Sequence, residues 1–262
     1  MAGTLLVNPR SGDGRCDDLV AEAERLGLHV RVLAPDDDPV ELARTAEGPV
    51  GVAGGDGSLA AVASVCAERD VPFVCVPFGT RNHFARDVGL DRSDPFAALA
   101  AFTDGEERRV DLGRANDRAF LNNVSLGTYA RLVHRRERHR RRREAFARLR
   151  AFGYLLRQPA PLHLTVDGEC LHTRLVLIAN NAYTLHPLSF GERERVDEGR
   201  LYLYVRSGAR WHARDATRFG IGARGTHVRA AVDGEAALLA TPVELTVEPG
   251  ALRLLLPRGP VA

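Results

Sequence analysis

Gly54, Gly55, Asp56, Gly57 and Ser58 stand where the apolar run Pro49 to Ala53 gives way to an Ala/Val-rich stretch of helical pattern. Glycines at a strand-to-helix turn take positive φ without strain and let backbone N–H groups approach an anion, while the helix that follows presents its positive end. Asp56 would repel that anion unless a cation lay between them. The pentapeptide therefore suits a nucleotide phosphate with Mg2+, and an ordinary Gly-rich turn uses the same letters. Asn8, Pro9, Ser11, Gly12, Gly14 and Arg15 form a second candidate anion loop after an earlier apolar run. It is not a dinucleotide fingerprint, because Asp17 occupies the third glycine position. A third group, Pro77, Gly79, Thr80, Asn82, His83, Phe84, Ala85 and Arg86, offers a hydroxyl, an amide and a guanidinium for ribose, base and phosphate. As a plain polar connection it would serve equally well.

Carboxylates recur further along. Asp111, in Val110 to Gly113, could supply a carboxylate to a magnesium ion that keeps most of its waters. Asp197 with the Gly199 to Leu201 backbone could hold a structural cation, or simply make an Asp-led turn before a strand. Asp233 and Glu235 flank Gly234, and Asp-Gly between strand-like runs is also a hairpin signal. In phosphoryl transfer such a carboxylate accepts the proton of the attacking hydroxyl. Asp167 and Glu169 repeat the Val-Asp-Gly-Glu letters, so local sequence does not choose between the two. There is no H-E-x-x-H pattern, no C-x-x-C pair and no G-x-S-x-G elbow, which removes the main support for a zinc hydrolase or acyl transfer.

Positioning these groups requires an alternating framework. Short apolar runs at Thr4 to Val7, Val30 to Leu33, Val50 to Ala53 and Phe73 to Val76 alternate with helical patterns at Asp17 to Leu26, Pro39 to Ala46, Leu59 to Arg69 and around Pro95 to Phe102. That order predicts parallel strands with crossover helices, and ligands at the carboxyl ends of the strands. From about Val110 the pattern turns to strands: Phe120 to Leu126, Leu162 to Val166, Leu175 to Ala179, Leu201 to Val205, Val228 to Val232, Val243 to Val247 and Leu252 to Leu256. Their Gly, Pro, Asn and Asp boundaries predict an antiparallel sandwich. The expected fold is α/β plus β, with an α/β domain over 1–109, a β-sandwich domain over 110–249, and a cleft between them. Arg131 to Leu156 reads as a helical interruption.

The 262 residues, 45% apolar and 27% charged, fit a globular protein and exclude disorder. No stretch approaches the length of a spanning helix and no signal peptide is visible, which favours the cytoplasm. The four cysteines are scattered and read as reduced. All 36 basic residues are arginine, so a Walker-A lysine is excluded. The net charge is only +2, yet Arg135, Arg136, Arg138 and Arg140 to Arg143 concentrate basicity. That block suits a solvated helix face, a nucleic-acid contact or an anionic membrane surface.

Taken in order, N-P-R-S-G from Asn8, G-G-D-G-S from Gly54, P-F-G-T-R-N-H-F-A-R from Pro77, N-N-V-S-L-G from Asn122, D-E-G-R-L from Asp197 and V-D-G-E from Val232 resemble the diacylglycerol kinase catalytic-domain family. That family takes in bacterial lipid kinases and sphingosine and long-chain-base kinases, with NAD kinases as distant relatives. The resemblance implies an ATP-binding α/β domain, a lipid-binding β-sandwich and a C-terminal segment, 250–262, that returns to the first domain. It implies that Gly54, Gly55, Gly57 and Ser58 hold the ATP phosphates, with Asn8, Arg15, Thr80 and Asn82 nearby. Asp56 with Asp111 would organise Mg2+, and Asp197 resembles the structural magnesium site. Asp233 would be the general base and Glu235 its partner; the run Pro242 to Pro257, similar to the family's closing segment, selects Asp233 over Asp167. His83 stands where the family commonly has Asp, Ser58 where Thr is frequent, and Asp56 competes for the role of base.

These expectations describe an ATP- and Mg2+-dependent kinase of a diacylglycerol-like lipid at the cytoplasmic leaflet. The lipid and ATP are its partners, nucleic acid is not expected, and a homodimer is left open. Two rivals share the fold: a kinase of a soluble acceptor such as NAD, and a non-catalytic lipid-binding homologue.

Overall fold

The structure is a computed structural model that describes residues 3–12, 14–127, 130, 162–185, 192–207 and 210–259. It divides into two compact units. The first comprises Met1–Leu112, Glu194–Glu198 and Glu248–Ala262, and the second Gly113–Arg193 and Gly199–Val247. The expected helix over Arg131 to Leu156, with its arginine block, lies outside the described residues.

In the first unit, strands β1 (Thr4–Val7), β2 (His29–Val32), β3 (Val50–Gly54) and β4 (Phe73–Pro77) pair in parallel in the order β2-β1-β3-β4. β3 and β4 are buried throughout, as strands covered on both faces must be. Helices α1 (Cys16–Arg25), α2 (Pro39–Thr45) and α3 (Asp56–Glu68) make the crossovers. α1 shares one apolar core with Leu5, Val7, Val74, Val76 and the segment around Ala98 to Ala101, while α2 packs on α3. The chain runs from β1 to β2 on one side and returns to β3 on the other. The turns after β1 and β3 therefore flank a topological switch point, the usual ligand crevice of such sheets.

Two local expectations need correction here. The helix expected from Leu59 begins at Asp56, because Gly55 is extended and serves as its N-cap. The loop expected over Pro77 to Arg86 closes into a short helix, α4 (His83–Asp87), ahead of α5 (Pro95–Ala98).

In the second unit, a six-stranded antiparallel sheet runs in the order β12-β11-β10-β7-β14-β15. Its strands are β7 (Asn123–Gly127), β10 (Leu175–Asn180), β11 (Leu201–Ser207), β12 (Arg210–Ala216), β14 (His227–Val232) and β15 (Glu235–Ala240). The opposing layer contains β8 (Leu162–Val166), β9 (Glu169–Thr173) and β13 (Arg218–Ala223). Phe120, Val124, Val176, Ile178, Leu203, Phe219, Ile221, Val232 and Leu245 fill one core between the layers, which makes this unit a β-sandwich.

The strand expected over Phe120 to Leu126 is two strands, β6 (Arg118–Phe120) and β7, broken at Leu121 and Asn122. Conversely, the strands expected at Val243 to Val247 and Leu252 to Leu256 are one, β16 (Val243–Pro257). Positive φ at Gly250 (57°) absorbs the irregularity that Pro249-Gly250 announces. The first residues of β16 pair with β13, and Leu254 and Leu255 pair in parallel with Phe73 and Val74 of β4. β5 (Gly105–Ala115) likewise runs through the Leu112/Gly113 boundary.

Candidate active site

Three turns meet at the carboxyl ends of β1, β3 and β4. The Asn8 amide donates to the Ser58 hydroxyl at 3.4 Å, across the switch point, and accepts the Arg10 N–H through its Oδ1. Gly79 approaches Gly55 so closely that a Cβ on Gly79 would lie 2.5 Å from the Gly55 Cα, whereas one on Gly55 would meet nothing nearer than 3.8 Å. The first position demands glycine for packing; the second keeps backbone open at the head of α3. Gly54 closes β3, and Gly57 and Ser58 lie in the first turn of α3, where the Ser58 N–H donates to the Gly55 carbonyl at 3.0 Å. Thr80 and Arg15 are exposed, Arg15 standing at the N-cap of α1 with its guanidinium 6.0 Å from the Phe96 ring centroid.

Asp56 does more than face the loop. Its carboxylate, 8% exposed, accepts the backbone N–H of His83 at 3.2 Å and of Phe84 at 3.1 Å, and so holds the start of α4 against the head of α3. Burial pushes the His83 imidazole below its ordinary range, an effect that the Asp56 charge opposes. Burial likewise pushes the Cys75 thiol up, with Asp56 adding to it. Asn82, left-handed at φ 47°, accepts the Gly79 N–H at 2.9 Å and donates to the Gly79 and Arg92 carbonyls. Its side chain closes the loop from within.

Asp111 is 2% exposed; its N–H donates to the Val196 carbonyl, and its Oδ1 accepts the Gly250 N–H at 2.8 Å. Asp197 accepts from Arg195 at 3.1 Å and faces Arg108 at 3.7 Å. Both of these partners of Asp197 are guanidinium groups. Among the described residues no group of three or more His, Cys, Asp or Glu gathers as a metal cage. Magnesium bound with a triphosphate needs only one or two carboxylates, a demand that Asp56 at the glycine turn fits.

In the second unit, Asp233 and Gly234 form the two-residue turn between β14 and β15, with φ of 47° and 79°. The Asp233 carboxylate, 9% exposed, accepts three consecutive backbone N–H groups: Leu121 at 2.8 Å, Asn122 at 2.8 Å and Asn123 at 2.9 Å. That is the reason for the break between β6 and β7. These N–H groups turn toward one carboxylate as a nest instead of toward a neighbouring strand. Glu235 is exposed and faces Arg118 at 3.4 Å. Asp167 makes the equivalent turn between β8 and β9 but holds the Gly220 N–H at 2.7 Å and faces Arg214.

Arg193 escaped sequence reasoning. Its guanidinium is buried, and donates to the Leu121 and Asn180 carbonyls at 2.7 and 2.9 Å and to the Asn122 Oδ1 at 2.7 Å. One arginine among 36 carries no sequence signal of such a place.

Comparison with known proteins follows the same lines. The family model for the diacylglycerol kinase catalytic domain matches residues 2–115. A diacylglycerol kinase of Mycobacterium tuberculosis is 31% identical over 184 residues, 63% of this chain and 59% of the relative. One from Staphylococcus saprophyticus is 32% identical over 135 residues, 47% of this chain and 44% of the relative. The chain thus spans less than two thirds of the length of the curated relatives it matches. A crystal structure of a diacylglycerol kinase from Bacillus anthracis shares the fold, with a TM-score of 0.73 at 20% identity, covering 100% of this chain and 98% of that one. Over residues 2–115 the chain is thus similar to the diacylglycerol kinase catalytic-domain family.

Proposed function

We propose that the protein is an ATP- and Mg2+-dependent lipid kinase that phosphorylates a hydroxyl of a diacylglycerol-like lipid. The observation that carries this reading is the meeting of the Asn8–Ser58 and Gly55–Gly79 turns at the switch point of a parallel sheet. We assign residues 1–109 with 250–262 to ATP, and the β-sandwich over 110–249 to the lipid. In this reading Gly54, Gly55, Gly57 and Ser58, with the N-terminal end of α3, bind the phosphates, supported by Asn8, Arg15, Thr80 and Asn82. Asp56 and Asp111 are the carboxylates for the ion that enters with ATP, and that ion would supply charge neutralisation at the phosphates.

Asp233 accepts the proton of the lipid hydroxyl, and Glu235 restrains the acceptor beside it. Asp56, committed to the head of α4, holds the His83 loop in place and is the weaker candidate for base. Catalysis of this kind rests on positioning and charge, with little covalent chemistry for the protein itself. Among the described residues no helix is long and apolar enough to cross a membrane. The reading therefore brings the protein to the cytoplasmic leaflet peripherally, through Arg135, Arg136, Arg138 and Arg140 to Arg143.

The test offers radiolabelled ATP with Mg2+ to a panel of neutral lipids and, separately, to NAD. Label in a hydroxyl-bearing lipid alone is the expected outcome; label in NAD, or in neither, would refute the assignment.

A further inference from the structure

We propose that Arg193 is a positioning residue for Asp233, an inference that rests on Asp233 being the proton acceptor. Leu121 and Asn122 lie between β6 and β7, where β10 touches them through Asn180: its N–H donates to the Asn122 carbonyl at 2.9 Å and its side-chain amide to the Leu121 carbonyl at 3.4 Å. Two charged side chains hold them as well. Their N–H groups, with that of Asn123, bind the Asp233 carboxylate. The Leu121 carbonyl and the Asn122 Oδ1 accept from Arg193, which also ties them to the Asn180 carbonyl of β10. The third donor is secured through the same cluster: Asn123 Nδ2 donates to the Tyr183 hydroxyl at 3.1 Å, and the Arg193 guanidinium lies 5.6 Å from the Tyr183 ring centroid.

Burying a guanidinium is a costly way to brace a turn, since its desolvation must be offset by good hydrogen bonds. A fork with rigid geometry is nevertheless the group that fixes several acceptors relative to one another. Arg193 sets the orientation of the 121–123 amides, and the amides set the position of the carboxylate.

The experiment measures kcat and the two KM values of full-length Arg193→Lys for lipid phosphorylation, alone and combined with Asp233→Asn. Lysine keeps the charge and loses the fork. The expected result is a fall in kcat of about 10- to 100-fold, the size of effect that misplacing a reacting group causes, with both KM values within about twofold. In single-turnover assays the residual rate of Asp233→Asn should be unchanged by adding Arg193→Lys, because the route through Asp233 is already gone. The same proportional loss in both backgrounds, or wild-type kcat in folded Arg193→Lys, overturns the proposal. Should Arg193→Lys lose its cooperative melt, Asn122→Ala removes one acceptor of the fork and must show the same pattern; wild-type kcat there overturns it too. Wild-type turnover by Asp233→Asn with Arg193 intact overturns the base assignment, and the proposal with it.

Discussion

The tetrapeptide Val-Asp-Gly-Glu makes the same turn twice and meets two different environments. Val166 pairs with Glu169 and Val232 with Glu235 across two-residue turns, each with positive φ at both central residues. Such turns follow from the letters, because Asp and Gly tolerate the left-handed region. At 167 the carboxylate sits at an exposed edge, on one backbone N–H and beside Arg214, which also faces Glu169. At 233 it is buried and accepts three consecutive N–H groups of the segment that leads into β7. Conformation is thus local, and chemistry is set by the strand that happens to lie alongside.

The widest separation should appear in turnover. Asp233→Asn is expected to lower lipid phosphorylation by about a thousandfold, within the range of a lost general base, while Asp167→Asn stays near wild type. Equal effects would mean the two turns are functionally interchangeable and the assignment wrong.

Stability should separate them next. Asp233→Ala leaves three N–H groups without their carboxylate, at about 1–3 kcal/mol for each that stays buried. Urea unfolding is expected to show a loss of about 3 kcal/mol or more, against about 1 kcal/mol for Asp167→Ala at its exposed edge. The strain of Ala at positive φ is common to both and cancels in the comparison.

The glutamates give the smallest contrast. Glu235→Gln should slow turnover by about tenfold, less than loss of the base, and Glu169→Gln should not. Both should change stability by about 1 kcal/mol at most, since Arg118–Glu235 and Arg214–Glu169 are exposed ion pairs. A larger stability loss at Glu235 would point to structural duty in place of the assigned one.

The alternation of apolar runs and helical patterns through residue 102 was legible because buried parallel strands are uninterrupted apolar segments and their crossovers keep a helical period. The turns at Gly54 and Asp233 were legible for the same reason: glycine and left-handed aspartate are signals carried by one or two residues. Less was visible where a side chain from elsewhere captured backbone. Asp56 reads as a loop residue until the His83 and Phe84 N–H groups are seen to bind it. Asn82 reads as a ligand-facing amide until Gly79 and Arg92 are seen to bind it.

By itself, the sequence determined the two architectures, the glycine turns at the strand ends and the pair of hairpins, all properties of residues a few positions apart. Tertiary structure alone decided that Asn123 and Asp233, 110 positions apart, share a hydrogen bond, and that Arg193 lies buried behind them. Local propensity acts over a turn or two of chain, whereas a buried charge is placed by whichever distant strands pair around it.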